Sequence, residues 1–384
     1  MVRIGDICVI NPKAQTFDED YLVSFVPMPK VGENGEFDAS DIKEYREVKK
    51  GFTYFQNGDV LFAKITPCME NGKGAIARNL KNGIGFGSTE FHVLRPIPDV
   101  VLGEWLYYLL SWTDFRKEAE KNMTGSAGQK RVPKSFLENY HVVVPSLDIQ
   151  EKQVNIFKNL DLLISLRKQQ LSKLDELVKS RFIEMFGDVI NNDRNWPMAT
   201  MGDVAEIKIG PFGTLLHKED YIVGGHALVN PSHIVDGKIA VDIGLTISDE
   251  KYEELSAYHL KIDDIVLGRR GEMGRCAVVR EDGLLCGTGS LIIRPNDRLK
   301  PYFLQTIISN PTYKKIIEDK AVGVTMMNIN VPIVESLRVP MLPIELQNDF
   351  ISFMEQIDKS KFEIQTSLEK LETLKKALMQ KYFG

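Results

Sequence analysis

Three arginines stand close together among glycines in the second half of the chain. Arg269 and Arg270 are adjacent, Arg275 follows five residues later, and glycines lie before and between them. The planar guanidinium of arginine can donate two parallel hydrogen bonds to a guanine edge, or it can hold a phosphate. The cluster therefore predicts contact with nucleic acid, although a solvated turn at the tip of a hairpin explains the same residues.

A polar loop in the first half offers a second set of donors. It combines an amide, which matches the edge of adenine, with cations that match phosphate. The residues concerned are Ser126, Gln129, Lys130 and Arg131. The first-half segment that corresponds to the arginine turn has a similar mixture, namely Lys64, Thr66, Asn71, Lys73 and Arg78. Taken alone, such loops are equally compatible with plain exposure to solvent.

A short glycine-containing turn, Gly210-Pro211-Phe212-Gly213-Thr214, lies near the start of the second half. Because glycine has no Cβ, the backbone there can approach a ligand closely. We take Gly210, Gly213 and Thr214 as candidate ligand contacts on that ground. The alternative is a tight turn that places Phe212 in the core.

The residue patterns that usually carry catalysis are missing from the sequence. The six histidines form no HxH or HxxxH pair, and the four cysteines form no CxxC pair. The segment 83–87 is rich in glycine but lacks the G-x-G-x-x-G spacing of a dinucleotide-binding turn. Neither a P-loop nor the Asn/Asp-Pro-Pro-aromatic tetrad of amino-methyltransferases occurs. The sequence therefore predicts a protein with no metal site, no cofactor and no catalytic residues of its own.

Length and composition place the chain among globular proteins of two or three domains. It has 384 residues, 43% of them hydrophobic, and a formal net charge of −5. An acidic total counts against a surface coated in basic residues, but it still allows a local basic face. The polar start predicts no signal peptide, no apolar run approaches the roughly 20 residues of a membrane helix, and the scattered cysteines indicate reduced thiols. We therefore expect a cytoplasmic protein that does not span a membrane.

The elements that must position these residues occur twice. Residues 150–187 and 347–384 are two copies of one segment, offset by 197 positions. At that offset Gln150 matches Gln347, and the Phe-Gly pair that ends the first copy matches the pair that ends the second. A repeat of this length predicts two similar halves with similar roles, related as a pseudo-two-fold internal repeat.

Each half begins with a region of mixed α/β (α+β) character whose elements recur in the same order. The sequence predicts strands at 59–63, 91–94 and 142–144 and a helix at 104–110 in the first half. The second half matches them with strands at 264–267 and 291–295 and a helix at 302–308, and Val331-Pro332 repeats Val132-Pro133. We expect two similar domains, 1–146 and 191–340, each followed by a long helical segment, 147–190 and 341–384.

The two repeated segments are predicted to be long helices. Apolar and long side chains recur at alternating intervals of three and four, which is the pattern of a coiled-coil seam. No proline or glycine interrupts them, so roughly 37 residues give each a length of about 55 Å. We expect the helices to pair antiparallel as a spacer between the domains, with four leucines facing one another: Leu171, Leu174, Leu368 and Leu371. The alternative is that each helix packs only on its own domain.

This order of domain, long helix, domain and long helix resembles the DNA specificity subunit of type I restriction-modification enzymes, over essentially the whole chain. The resemblance rests on four motifs. They are the polar loop 125–131, the turn 210–213, the Val-Pro pairs 144–145 and 339–340 before the helices, and the Phe-Gly pair at each helix end. The second half departs from the polar loop and has Val324-Thr325-Met326-Met327-Asn328 in its place. Thr325 and Asn328 are the candidate DNA contacts there.

The resemblance implies a non-catalytic protein that recognises double-stranded DNA. Each domain would be a target recognition domain that reads one half of a split, asymmetric sequence. The paired helices would set the gap between the halves and dock two methyltransferase subunits, while restriction and translocation would belong to further partner subunits. Two other interpretations are a protein–protein scaffold with two binding domains on a coiled-coil spacer, and a hydrolase or methylase with an unrecognised site.

Overall fold

The computed structural model describes residues 1–126, 128–212, 215–323 and 328–384, and the chain divides into two units. The first unit comprises Met1–Gln170 and Ile364–Gly384. Its strands are β1 Val2–Arg3, β2 Cys8–Ile10, β3 Leu22–Val26, β4 Ile42–Glu44, β5 Thr53–Gln56, β6 Val60–Ala63, β7 Gly74–Ile76, β8 Ile84–Gly87, β9 Phe91–Pro96 and β10 His141–Val142. Its helices are α1 Ile4–Ile7, α2 Tyr45–Val48, α3 Gly103–Ser111, α4 Thr113–Lys121, α5 Lys134–Asn139 and the first part of α6 Leu147–Phe186.

Two four-stranded sheets form the framework of the first unit. The first sheet has the order β2-β9-β6-β7, and all of its neighbouring strands are antiparallel. The second sheet has the order β4-β3-β8-β5, in which β3 and β8 pair in parallel. Helices α3 and α4 cover the first sheet, since Trp105 and Phe115 join Phe62 of β6 in one buried apolar cluster. This cluster is the main core of the first unit.

The glycine-rich segment 83–87 forms a buried strand of the second sheet. Its residues from Ile84 onward are strand β8, and all four residues of that strand are buried. A Cβ at Gly85 would lie 2.2 Å from the Phe55 ring, and a Cβ at Gly87 would lie 2.2 Å from the carbonyl oxygen of Val26. Close packing therefore requires glycine at these two positions.

The second unit comprises Leu171–Glu363. Its strands are β11 Met198–Thr200, β12 Ala205–Ile209, β13 Tyr221–Ile222, β14 His226–Val229, β15 Ile234–Val235, β16 Lys238–Ile239, β17 Thr246–Ile247, β18 Ile265–Gly268, β19 Cys276–Val278, β20 Leu285–Cys286, β21 Ser290–Pro295 and β22 Arg338–Pro340. Its helices are α7 Met201–Val204, α8 Asp249–Glu254, α9 Pro301–Ser309, α10 Pro311–Lys320, α11 Val331–Glu335 and much of α12 Ile344–Phe383. The end of α12 and the start of α6 belong to the first unit.

The second unit repeats the framework of the first. The order β12-β21-β18-β19 is again an antiparallel sheet of four strands. A second sheet, β13-β17-β14-β20, again contains one parallel pair, β14 with β20. The ladders also correspond, because Cys8 pairs with Pro96 in one unit and Ala205 pairs with Pro295 in the other. The predicted fold class, a mixed chain with two similar domains, is confirmed.

The first sheet of each unit contains the same ion pair, in which the aspartate is buried. Asp59, just before β6, accepts two 2.7 Å hydrogen bonds from the Arg95 guanidinium on β9. Asp264, just before β18, accepts two 2.7 Å hydrogen bonds from the Arg294 guanidinium on β21. The two aspartate side chains are only 2% and 1% exposed. A carboxylate removed from water is stable only with such partners, so the pair fixes how the two strands meet in each unit.

Helices α6 and α12 each run for 40 residues, slightly longer than predicted. At about 1.5 Å per residue, each is roughly 60 Å long. The positions of the predicted seam are all buried or half-buried. They are Phe157, Leu160, Ile164, Arg167, Leu171, Leu174, Val178, Arg181 and Met185 on α6, and Met354, Ile357, Lys361, Ile364, Leu368, Leu371, Lys375, Leu378 and Tyr382 on α12.

Within the first unit, α6 and the end of α12 are antiparallel. The rings of Phe157 and Phe383 are stacked with their centroids 6.0 Å apart. Further along α6, Lys168 lies 3.3 Å from Glu372. The residue number on α12 thus falls as the number on α6 rises, which is the predicted direction.

Within the second unit, the end of α6 and the start of α12 run in the same antiparallel way. Asp175 forms an ion pair with Lys361. Further along α6, the Phe182 ring packs edge-on against Phe350, with centroids 5.4 Å apart. Both rings belong to the buried core of that unit. Each unit therefore contains its own segment of the helix pair.

A buried glutamine fixes the start of each long helix to a shorter helix of the same unit. Gln150 Oε1 accepts a 2.8 Å hydrogen bond from the N–H of Leu102, next to α3, and Gln150 Nε2 donates to the carbonyl oxygens of Val100 and Pro145. Gln347 is placed in the same way, and both glutamines are fully buried. The partners of Gln347 are the N–H of Lys300 and the carbonyl oxygens of Arg298 and Leu342.

Replacing Gln150 by leucine is expected to destabilise the first unit. The change nearly keeps the side-chain volume but leaves one N–H and two carbonyl groups of part-buried backbone without their glutamine partner. At about 1–3 kcal/mol for each unsatisfied group, and with some relaxation, we expect the free energy of unfolding to fall by roughly 2–4 kcal/mol. The measurement is the shift of the urea midpoint of unfolding.

Gln169→Leu is the matched control, because Gln169 is exposed on the same helix. It should change the free energy of unfolding by less than about 0.5 kcal/mol. Equal shifts for the two variants would contradict the anchoring role of Gln150.

Candidate nucleic-acid interface

All candidate residues of the first half except Arg78 gather at one end of the first sheet. Lys64 follows β6 directly and donates its backbone N–H to the carbonyl oxygen of Glu90 at 2.9 Å. The N–H of Val132 donates back to the carbonyl oxygen of Lys64 at 2.9 Å, and the N–H of Thr66 donates to the carbonyl oxygen of Lys130 at 3.0 Å. The segment after β6 and the polar loop therefore lie side by side.

Backbone hydrogen bonds close the polar loop at its base. Thr124 and Arg131 exchange two of them, at 3.0 and 2.8 Å. Ser126, Gln129 and Lys130 are exposed beyond this point, and their side chains make no hydrogen bond within the described part of the chain. The loop thus presents a hydroxyl, an amide and an ammonium group to solvent, as a base-edge or phosphate contact requires.

Arg131 has a different position from the rest of the loop. Its Nε and Nη2 donate to the two carboxylate oxygens of Glu90, both at 2.9 Å. This pairing lowers the pKa of Glu90. The guanidinium is already neutralised, so Arg131 shapes the loop before any ligand is present. Glu90 was not identified from the sequence, because no motif or spacing links it to Arg131.

A buried arginine holds the segment between β6 and β7, in which Asn71 and Lys73 also lie. Arg116 of α4 is 7% exposed and donates from Nη1 to the carbonyl oxygen of Met69 at 2.6 Å. The Arg116 guanidinium lies over the Phe62 ring, 5.0 Å from its centroid, and burial lowers its pKa to about 10. Arg116 could not be recognised from the sequence, since a single arginine in a short helix carries no recognisable pattern.

The structure does not place Arg78 with the other candidates. It follows β7 at the opposite end of that hairpin, where the N–H of Ala77 donates to the carbonyl oxygen of Asp59. Its guanidinium lies 3.0 Å from Glu104, and the same carboxylate lies 3.1 Å from Lys158 of α6. Arg78 therefore joins the first sheet to α3 and α6.

The second unit has the same arrangement at the same end of its first sheet. Arg269 follows β18, donates its N–H to the carbonyl oxygen of Gly289 at 3.0 Å, and accepts from the N–H of Ile329 at 3.1 Å. Asn328 and Val322 exchange two backbone hydrogen bonds, at 2.9 and 3.0 Å. Arg269 and Asn328 are thus brought together although 58 residues of sequence separate them.

These hydrogen bonds define which residues of the two units correspond. The N–H of Val132 donates to Lys64, and the N–H of Ile329 donates to Arg269. The sequence match that aligned Val132 with Val331 is therefore wrong by two residues. A two-residue Val-Pro match carries little information, whereas a hydrogen-bonded ladder admits one register.

The three arginines of the turn have different partners. Arg275 donates to Glu272 from Nη2 at 2.6 Å and from Nε at 3.2 Å, so its charge is neutralised. Arg269 donates from Nε to Asn328 Oδ1 at 3.0 Å. Arg270 is exposed and has no side-chain partner among the residues that the structure describes. The two adjacent arginines are the cations best placed for a ligand.

Gly210 lies at the same end of the sheet and donates its N–H to the carbonyl oxygen of Ser290 at 2.9 Å. A Cβ there would lie 2.2 Å from the carbonyl oxygen of Gly287, so the close approach is to the chain's own backbone. Phe212 is 59% exposed, and the alternative that placed it in the core is wrong. Gly213, Thr214 and Thr325 lie outside the described residues.

The four leucines proposed for the helix interface are divided between the units. Leu171 and Leu174 belong to the second unit and are half-buried. Leu368 and Leu371 belong to the first unit, where Leu368 is 6% exposed and Leu371 packs against the main core. Contact between the two pairs stays a prediction.

In the described ranges, no group of three or more His, Cys, Asp or Glu side chains could hold a metal ion. Burial raises the pKa of the Cys8 thiol to about 12 and that of Cys276 to about 11, so neither is a thiolate at neutral pH. None of the described helices is both long and apolar enough for a membrane span.

Several known proteins match part of the chain. A segment of 173 residues is 46% identical to the type I restriction enzyme EcoAI specificity subunit of Escherichia coli, covering 44% of this chain and 29% of that protein. A segment of 178 residues is 42% identical to the EcoEI specificity subunit of the same organism, covering 45% of this chain and 30% of that protein. The chain thus matches less than a third of the length of either relative.

Solved structures share the fold at low sequence identity. A chain from a type I restriction-modification system, studied for complex assembly and conformational transition, has a TM-score of 0.60 at 17% identity and covers 99% of this chain and 96% of its own length. The S subunit of a type I restriction-modification system from M. genitalium has a TM-score of 0.59 at 14% identity, with coverages of 100% and 95%.

One family model matches the chain twice. The model describes the type I restriction modification DNA specificity domain, and it matches residues 1–176 and 193–376. The two matches follow the internal repeat and leave few residues uncovered. The chain belongs to the type I restriction modification DNA specificity domain family.

Proposed function

We propose that the protein is the sequence-specific DNA-binding subunit of a type I restriction-modification complex, and that each unit reads one half of a bipartite, asymmetric DNA target. The proposal is supported by one observation: the same end of the first sheet occurs in both units but carries different side chains. It presents Lys64 and Gln129 in the first unit, and Arg269 and Arg270 in the second. One scaffold with two sets of loops is what recognition of two different sequences needs.

The net charge of −5 is consistent with DNA binding that is shared among subunits. Lys130 and Arg270 are exposed and can neutralise phosphates. Sequence-independent affinity depends on the number of phosphates that are neutralised, and two such residues give little of it. We propose that partner subunits supply most of the phosphate contacts and that this chain supplies the base contacts.

The long helices are proposed to set the gap between the half-sites and to dock two methyltransferase subunits. Exposed leucines on α6 support a docking role, since Leu162, Leu163 and Leu166 are 58%, 43% and 44% exposed. Restriction and translocation belong to further partner subunits in this proposal, and the chain itself is a non-catalytic cytoplasmic protein. The middle of the helix pair is proposed to consist of Leu171, Leu174, Leu368 and Leu371.

The proposed limits of the recognition domains are 1–146 and 191–340, with spacer helices at 147–190 and 341–384. Exchange of one recognition domain for that of a relative should change one half of the methylated sequence and leave the other half unchanged. The measurement is methylation mapping of host DNA with the variant complex. The reciprocal exchange, in the other domain, is the matched control. A single exchange that alters both halves, or neither, would show that the domains are not independent readers.

Insertion of four residues in both long helices, after Gln170 and after Glu363, should lengthen the gap. Four residues add about 6 Å of helix and a little more than one turn. At about 3.4 Å per base pair, we expect one or two additional base pairs between unchanged half-sequences. Methylation mapping again gives the result.

The control for this insertion is the same four residues in α6 alone. It shifts one helix against the other and should lower methylation without creating a longer gap. An active double insertion with the original gap would show that the helices do not set the spacing.

A further inference from the structure

The side chain of Arg269 is held in one orientation by Asn328. Arg269 Nε donates a 3.0 Å hydrogen bond to Asn328 Oδ1. Both backbones are fixed as well, because Arg269 is bonded to Gly289 and to Ile329, and Arg270 forms a β-bridge with Asn328. With Nε bound, the remaining donors of Arg269 are the N–H groups of Nη1 and Nη2.

Those remaining donors have no partner within the described ranges. The carboxylate of the turn, Glu272, is already shared by Arg275 and Lys314, at 2.6 and 3.1 Å. Arg269 is half-buried, and burial together with the charge of Arg270 lowers its pKa. Donors that are oriented and partly shielded from water lose less entropy when they bind an acceptor. The turn therefore presents a preorganised fork of N–H groups.

The first unit lacks this arrangement. In the same backbone register, Lys64 takes the place of Arg269, and Arg131 takes the place of Asn328. The Arg131 guanidinium is bound to Glu90. A lysine ammonium is a point charge without the planar fork of arginine. The two units thus share the backbone arrangement at this position and differ in the side chains that it carries.

We propose that Arg269 reads one guanine in the half-site of the second unit by donating from Nη1 and Nη2 to guanine O6 and N7, and that Asn328 is the positioning residue that sets this geometry. The inference rests on the proposed function and adds the base, its edge and the side chain that contacts it. Guanine is the base whose major-groove edge carries two adjacent acceptors that match the fork. Arg270, which is exposed and bound by no described side chain, contacts a phosphate.

The assembled complex, with its methyltransferase partners, tests the assignment in cells. Methylated sites are mapped across host DNA for the wild type, for Arg269→Ala and for Arg270→Ala. Arg269→Ala should accept other bases at one guanine of one half-site and leave the other half-site unchanged. Arg270→Ala removes the same charge from the same turn and should lower methylation equally at all sites. A uniform loss for Arg269→Ala, or relaxation at a base pair without guanine, would overturn the proposal.

A second experiment needs no change in the protein. Each guanine of the half-site is replaced in turn by 7-deazaguanine, which keeps base pairing but lacks the N7 acceptor, and binding of the wild-type complex to the duplex is measured. One position should weaken binding by roughly 10- to 150-fold. The same replacement should have no effect on the Arg269→Ala complex. Equal sensitivity of the two complexes, or the lack of a sensitive guanine, contradicts the proposal.

The role of Asn328 is tested with two variants of similar size. Asn328→Leu removes the acceptor, and the preference for guanine at that position should fall by roughly 2- to 12-fold. Asn328→Asp keeps an oxygen acceptor and should retain the preference, while its added charge weakens binding to every sequence. A retained preference in the leucine variant, or a lost one in the aspartate variant, would show that Asn328 does not orient Arg269.

The outcomes separate this inference from the proposed function. If deletion of the chain leaves the methylation of host DNA unchanged, the proposed function is wrong and the guanine contact is wrong with it. If the wild type methylates a bipartite sequence but Arg269→Ala relaxes no base, the proposed function stands and the guanine contact alone is wrong.

Discussion

The hydrogen bonds that tie α6 to α3 are the contacts on which the rest of the first unit depends. Gln150 satisfies three backbone groups at the start of the helix. About one turn further along, Gln153 accepts from Trp105 Nε1 at 2.7 Å, and about three turns beyond Gln150, Asp161 accepts from the Tyr108 hydroxyl at 2.9 Å. A helix that is hydrogen-bonded at three positions along one face cannot rotate about its axis without breaking part-buried hydrogen bonds. The orientation of α3 relative to the start of α6 is thereby fixed.

Nearby carboxylates determine which basic side chains of the loops are available to bind a ligand. Glu90 binds Arg131 in the first unit, and Glu272 binds Arg275 in the second. Both arginines belong to loops that the sequence marks as basic, yet both are neutralised within the protein. A count of basic residues therefore overstates the charge that such a loop can offer to DNA, whereas exposed Arg270 offers all of its charge.

Periodicity in the sequence predicts the scaffold well, because each strand and helix is encoded by neighbouring residues. The strand predicted at 59–63 is β6, the helix predicted at 104–110 lies within α3, and both long helices are present. The aspartates and arginines of the two Asp–Arg ion pairs recur at matching positions in both halves. Their pairing could therefore have been recognised from the repeat. The roles of Glu90 and Arg116 could not be recognised from the repeat, because each side chain binds a residue more than 40 positions away. The parallel pairing of β3 with β8 was missed for the same reason.

The composition of the first unit has a consequence for the order in which the chain folds during synthesis. Residues 1–170 leave the ribosome first, but Phe383 packs on the Trp105 ring with centroids 5.3 Å apart, and Met379 is buried in the same core. The second unit is continuous, so all of its residues are translated before the segment 364–384. Of the two units, the one whose synthesis begins first is therefore completed last. Until that segment emerges, an apolar face of the nascent first unit stays open to water and to chaperones.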